Sequence, residues 1–266
     1  MNRAFLAIAL VGSAPATAAD FRPWTDFPGA RFKGTQLWRD AGSGAYCYAT
    51  DHSRVDADGA PDAYHPDDRM RSRPPYLGLD NPQNAGWPQT GWWPDVLTRD
   101  PANPKVPYRQ QSGPYRGYFV SHTALRVRGG SETDPATFAD SRTIPYIVLP
   151  GSDFPRRRGT GAPGDVGWAW NLATGKGTAF VIGDTGGGAG ARLGEASIAF
   201  FKALGGTAPN ARTGAGVAPG TVRFVVFPGS RRTLGWPATP QQVTTLARQQ
   251  VDRLGGAGQL KVCGGG

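Results

Sequence analysis

Asp184 and Glu195 stand on the two sides of a glycine-rich stretch, Gly183-Asp-Thr-Gly-Gly-Gly-Ala-Gly-Ala-Arg-Leu-Gly-Glu195, which follows the apolar run Thr178–Ile182. Two carboxylates on opposite lips of a turn suit the cleavage of a glycosidic bond: one protonates the leaving oxygen while the other activates water or attacks the sugar. The same residue types have a plainer use, with Asp184 bracing the turn through its backbone and Glu195 sitting in the first turn of a helix. A helix starting at Gly194 would lower the pKa of Glu195 through its dipole and oppose its use as the acid, unless burial raises it again.

Other candidate constellations are poorer. Asp56-Ala-Asp58-Gly-Ala-Pro-Asp62 has the look of a calcium loop but lacks the glutamate and the ladder of ligands such a loop requires, so no metal is expected. His65 and His122 have no serine in a nucleophile-elbow pattern to serve and read as structural. Gly186-Gly-Gly188 is not followed by Gly-Lys-Ser/Thr, so these glycines let backbone approach a substrate rather than cradle phosphate. Trp87, Trp92 and Trp93 are either stacking platforms for sugar rings or core residues.

The elements that must position the carboxylates are mostly strands. Short β-like runs recur at 118–121, 143–149, 166–170, 178–182 and 222–227, and the turn residues Asn171–Lys176 predict a hairpin leading into Asp184. Two helices are expected. One spans roughly Ser197 to Leu204, with Ser197 as N-cap and Gly205-Gly206 as stop. The other is capped by Thr239, with Pro240 at its first position, Gln242 closing a capping box, and Val243, Leu246, Val251 and Leu254 as its apolar stripe. Residues 20–111, rich in Trp, Pro, Asp and Gly, are expected to be long loops with short strands.

A basic start (Met1-Asn-Arg3), an apolar stretch from Ala4 to Gly12 and the small residues Ala16-Thr17-Ala18 have the form of a secretory signal, residues 1–19, followed by one domain over 20–266. Neither this stretch nor any later one reaches the roughly 20 apolar residues of a membrane span. An exported chain with two cysteines suggests a Cys47–Cys263 disulfide, and neither cysteine has partners at zinc-ligand spacing. The net charge of +9 leaves nucleic acid, an anionic wall or plain solubility open. The runs Arg156–Arg158 and Arg231-Arg232 lack the aromatic-rich motifs of nucleic-acid binders and read as solvated loops.

Five motifs in order, Val55-Asp-Ala-Asp-Gly-Ala-Pro-Asp-Ala-Tyr-His-Pro66, Gly78-Leu-Asp80 with Asn84-Ala-Gly86, Gly117–Ser121, Asp140–Pro150 and Asp184–Ala203, resemble the chitosanases of glycoside hydrolase family 75 over about residues 55–230. The resemblance implies a secreted, cofactor-free, monomeric endo-hydrolase of β-1,4-linked glucosamine that inverts the anomer, with Asp184 and Glu195 as its essential pair. It also implies substrate contacts at Asp56, Asp58, Asp62, Tyr64 and Thr185. The aspartates are read either as a negative patch that attracts protonated glucosamine or as a turn rich in Asx hydrogen bonds. The segment from Asp184 to Gly205 is similar in addition to double-psi β-barrel proteins, which implies a mainly β (α+β) fold with a six-stranded barrel, and Glu195 as acid with Asp184 as base. A peptidoglycan-cleaving enzyme and a non-catalytic polysaccharide-binding barrel are the alternatives.

Overall fold

The computed structural model describes residues 18–70, 74–151, 154 and 159–264. The proposed signal segment up to Thr17 and the Arg156–Arg158 run lie outside the described residues.

The protein is mainly β with a few helices. Its strands are β1 (Phe21–Pro23), β2 (Arg31–Phe32), β3 (Thr35–Asp40), β4 (Tyr46–Thr50), β5 (Arg54–Asp56), β6 (Tyr146–Pro150), β7 (Val166–Asn171), β8 (Gly177–Gly186), β9 (Glu195–Ser197) and β10 (Val222–Phe227). The helices are α1 (Ile198–Ala203), α2 (Arg231–Leu234), α3 (Pro240–Arg253) and α4 (Gly256–Lys261). The strands form one mixed sheet in the order β1-β3-β4-β10-β7-β8-β6-β9-β5, with β2 paired to β3, and the path stays open from β1 to β5.

β10 shows how both faces of the sheet centre are covered, with Arg223 as its one charged residue. Phe224 and Val226 enter one core and Val225 and Phe227 the other, so both faces of the strand are covered. The first core is aromatic, with Phe200 stacked on Phe224 at 5.6 Å and Tyr48 on Phe224 at 4.7 Å. The second lies under α3, whose Val243, Leu246, Ala247 and Val251 are buried as the stripe predicts. The capping box at Thr239 and Gln242 is formed, and Ser197 caps α1 by accepting the Phe200 N–H at 3.1 Å. The hairpin at 171–176 joins β7 to β8 as expected.

Two local expectations need correcting. Residues 118–121 form only isolated bridges, because their backbone groups go to separate loops: Phe119 N–H donates to Tyr64 O and Thr98 N–H to Val120 O. Arg231-Arg232, read as a solvated loop, instead begins α2, where the Arg231 N–H donates to the buried Asp165 carboxylate at 2.9 Å; the N-terminal region has the loops and short strands expected of it, among them β3 and β4 of the main sheet.

The disulfide joins Cys47 of β4 to Cys263 beyond α4, with both residues buried. It fastens the C-terminal helices to the sheet and fits an oxidising, extracellular type of environment. No helix among the described residues is long and apolar enough to cross a membrane.

Candidate active site

Strand register brings the two carboxylates to one face of the sheet. β8 runs parallel to β6 with Asp184 opposite Val148, while β6 meets β9 antiparallel with Ile147 opposite Ala196, so Val148 falls beside Glu195 as well. Asp184 and Glu195 therefore flank the same β6 residue from two sides. Their backbones are two strand spacings apart, about 9.5 Å. β5 then pairs parallel with β9, placing Arg54 opposite Glu195 and, on the same face two residues on, Asp56 opposite Ser197.

One glycine makes this arrangement possible. Gly194 has φ +114°, and a Cβ there would lie 2.1 Å from the His52 carbonyl oxygen, so only glycine lets β9 approach the start of β5 this closely. Glu195 is thus a strand residue that precedes the helix, and α1 starts only at Ile198. The helix-dipole conflict expected for a start at Gly194 does not arise.

A cleft of about 860 Å³ opens over this face, lined among others by Arg54, Asp56, Asp58, Asp95, Asp184 and Glu195. Asn84, Trp92, Val148, Thr185 and the glycines 186–188 complete its walls. Five carboxylates thus face one guanidinium, in a protein whose net charge is +9.

Each carboxylate is held by named partners. Asp184 Oδ1 accepts the N–H groups of Ala124 and Thr185, both at 2.8 Å. Asp56 accepts the Tyr146 hydroxyl at 3.0 Å and the Asp58 N–H at 2.9 Å. The Tyr64 hydroxyl bonds the Asp58 carboxylate. Asp80, buried behind the cleft, orients Asn84 by accepting its side-chain N–H at 2.7 Å. Glu195 is reached by Arg54 Nε at 3.2 Å. Oxygens of Asp56, Asp58 and Asp184 lie within 4.8 Å of one another, a hard-oxygen group of the type that can hold a divalent cation.

Crowding of like charge in a desolvated site raises the carboxyl pKa values. Asp184 is pushed up to about 8, first by burial and then by Asp56. Glu195 rises to about 7, again by burial and Asp56, against the opposing pull of Arg54. Burial, then Asp56 and Asp184, put Asp58 well above the usual carboxylate range, and burial raises Asp56 despite its hydrogen bonds. Around neutral pH the site therefore holds protons that isolated carboxylates would have lost, so a proton donor and an acceptor can coexist in it.

The structure brings together Asp184, Glu195, Asp56, Asp58 and Thr185. Tyr64 is buried behind Asp58 and braces it. Asp62 stands apart, paired with Arg142 at 3.0 Å, and that guanidinium also holds Asp140 at 3.1 Å. Of the tryptophans, Trp93 is core and Trp87 packs edge-on against it, whereas Trp92 is 45% exposed and faces the cleft. His65 and His122 make structural contacts, His122 with Thr98 Oγ1 at 2.8 Å and His65 edge-on to Tyr118.

Arg54 and Tyr146 are site residues that reading the sequence missed. Arg54 enters only through the β5/β9 register. Tyr146 carried a signal, since a tyrosine inside the buried run Tyr146–Leu149 must find a partner for its hydroxyl. No protein-family model matches this chain, and no curated protein is found similar to it.

Proposed function

We propose that the protein is a secreted glycoside hydrolase working through paired carboxylates. More particularly, we propose an endo-chitosanase that cleaves the β-1,4 linkages of glucosamine polymers, as the resemblance of its motifs implies. The observation that carries this reading is the cleft lining, five carboxylates to one arginine on a basic protein. The charge on Asp56, which raises Asp58, Asp184 and Glu195, keeps this lining negative while its neighbours hold protons, and a charge in a recessed site is screened far less than one on the open surface, so the lining suits a cationic chain better than an anionic one. This favours chitosan over peptidoglycan and supplies the locally negative surface that a polycation needs.

In this reading Asp184 and Glu195 act from opposite sides of Val148, and inversion is what the family resemblance implies for them. Arg54 distinguishes the two. Its guanidinium favours the ionised form of Glu195, whereas Asp184 has no cation beside it in the cleft lining. We therefore assign Asp184 as acid and Glu195 as base, the exchange of the roles that the barrel resemblance implies. Glucosaminides with good leaving groups test the assignment: they bypass the acid, so Asp184→Asn regains activity on them and Glu195→Gln does not. Recovery by Glu195→Gln instead would reverse it.

The parallel pairs β6/β8 and β5/β9, linked through the β6/β9 contact, support a double-psi-type arrangement around the cleft within an otherwise open sheet. Chitosan is the partner in this reading, with Trp92 offering a stacking face for one sugar ring. The activity is tested by reducing-end release from chitosan, with the two variants as controls.

A further inference from the structure

A second recess, of about 430 Å³, is bordered by Arg192 and Leu193 of the segment that joins Asp184 to Glu195. Its walls carry Arg31, Lys33 and Arg192, with Asp51 as their one acidic counterpart and the hydroxyl-bearing Thr35 and Thr221 between them. Its size falls within the roughly 300–1,000 Å³ of small-molecule sites.

Three features make this more than scattered surface charge. The two-residue turn Lys33-Gly34 between β2 and β3 holds both residues at positive φ, 45° and 88°. Asparagine is the usual non-glycine residue at the first of these positions, so a lysine is kept there at a conformational cost. Lys33 lines the recess, and its Nζ donates to the Ala189 carbonyl, next to the glycines 186–188 of the cleft wall. Arg192 belongs to the same segment and makes no hydrogen bond or ion pair among the described residues, while Arg31 spends one donor on the Gly34 carbonyl at 3.1 Å. The local potential is positive enough that His52, on the recess wall, is pushed below its ordinary pKa by burial and then by Arg192 and Arg54.

We propose that this recess is a binding site for a phosphate-class oxyanion, gripped by Lys33, Arg192 and Arg31, and that it docks the protein on a phosphate-bearing polymer while the acidic cleft works on another chain. Guanidinium forks match the oxygens of phosphate, and the threonine hydroxyls supply neutral donors beside them. The work of the cleft on another chain rests on the proposed function, whereas the oxyanion binding stands apart from it, because the recess and the cleft share no lining residue.

The test is equilibrium binding of inorganic phosphate, poly(glycerol phosphate) and polygalacturonate to the disulfide-intact protein at one fixed ionic strength. Lys33→Asn keeps a residue that tolerates the left-handed turn. Combined with Arg192→Gln, it is expected to weaken poly(glycerol phosphate) binding about tenfold or more. Arg248→Gln with Arg253→Gln removes the same charge from the exposed side of α3 and is expected to leave binding within about twofold. Competition by inorganic phosphate at equal phosphate concentration identifies the phosphate group itself as the ligand, and polymer binding that resists it identifies the polymer chain as part of the ligand. Equal loss in both double variants, equal affinity for polygalacturonate, or no binding of either phosphate probe would overturn the proposal.

Discussion

The acidic cleft and the basic recess draw on one glycine-rich segment, glycines 186–188 lining the first and Arg192 the second, yet the same chain gives them opposite potentials. In the cleft, desolvated carboxylates crowd together and hold each other's protons, which suits acid–base chemistry. In the recess, Arg31, Lys33 and Arg192 are exposed and water-facing, which suits reversible capture of an anion. The comparison teaches that a net charge of +9 does not name the ligand. What matters is which charges share a concavity, because those beyond about 10 Å on the open surface are screened.

The sharpest way to break the comparison is to remove the proton chemistry from the cleft alone. Glu195→Gln or Asp184→Asn is expected to lower chitosan hydrolysis by about a thousandfold, with circular dichroism and melting temperature at pH 5 unchanged. A smaller effect follows from Asp56, the leading charged neighbour of both residues. Asp56→Asn is expected to cut kcat by about tenfold and to move the alkaline limb of the pH–rate profile to lower pH, because the carboxylate that raises the pair is gone. An unmoved limb would show that Asp56 only supports the fold.

Stability should carry the same signature. Asp184 and Glu195 bind protons more tightly folded than unfolded, so the folded state binds the excess proton between the unfolded values near 4 and the folded values of about 7 and 8. Their contribution is therefore fully present in acid and falls away as pH rises through that window. The melting temperature is expected to decline from pH 5 to pH 8.5, and Asp184→Asn, whose amide oxygen can still accept from Ala124 and Thr185, to melt higher than wild type at pH 8.5. A flat profile would mean that the carboxylates are not crowded as described. The smallest expected effect is at the rim: Trp92→Ala should raise KM for chitosan about fivefold with little change in kcat.

Much of this was legible in the sequence. Asp184 and Glu195 were marked by the glycines between them, α3 by Thr239, Pro240 and Gln242, and the β7–β8 hairpin by Asn171–Lys176. Pairing across the sheet was not legible, because β5, β6, β8 and β9 meet over separations of tens to more than a hundred residues that no local pattern records. For that reason Arg54 was overlooked and Asp62 was grouped with Asp56 and Asp58, although the chain turns it toward Arg142. Short strands were expected in the Trp-, Pro- and Gly-rich N-terminal region, but their partner was not legible for the same reason: β4 pairs with β10, far along the chain.

The measurement that tests the central claim most directly is reducing-end release by the mature protein from chitosan, chitin and peptidoglycan in parallel, with Glu195→Gln beside the wild type. The acidic cleft predicts release from chitosan, near-complete loss in the variant, and none from peptidoglycan. Release from peptidoglycan with chitosan untouched, or full activity of Glu195→Gln on chitosan, would contradict it.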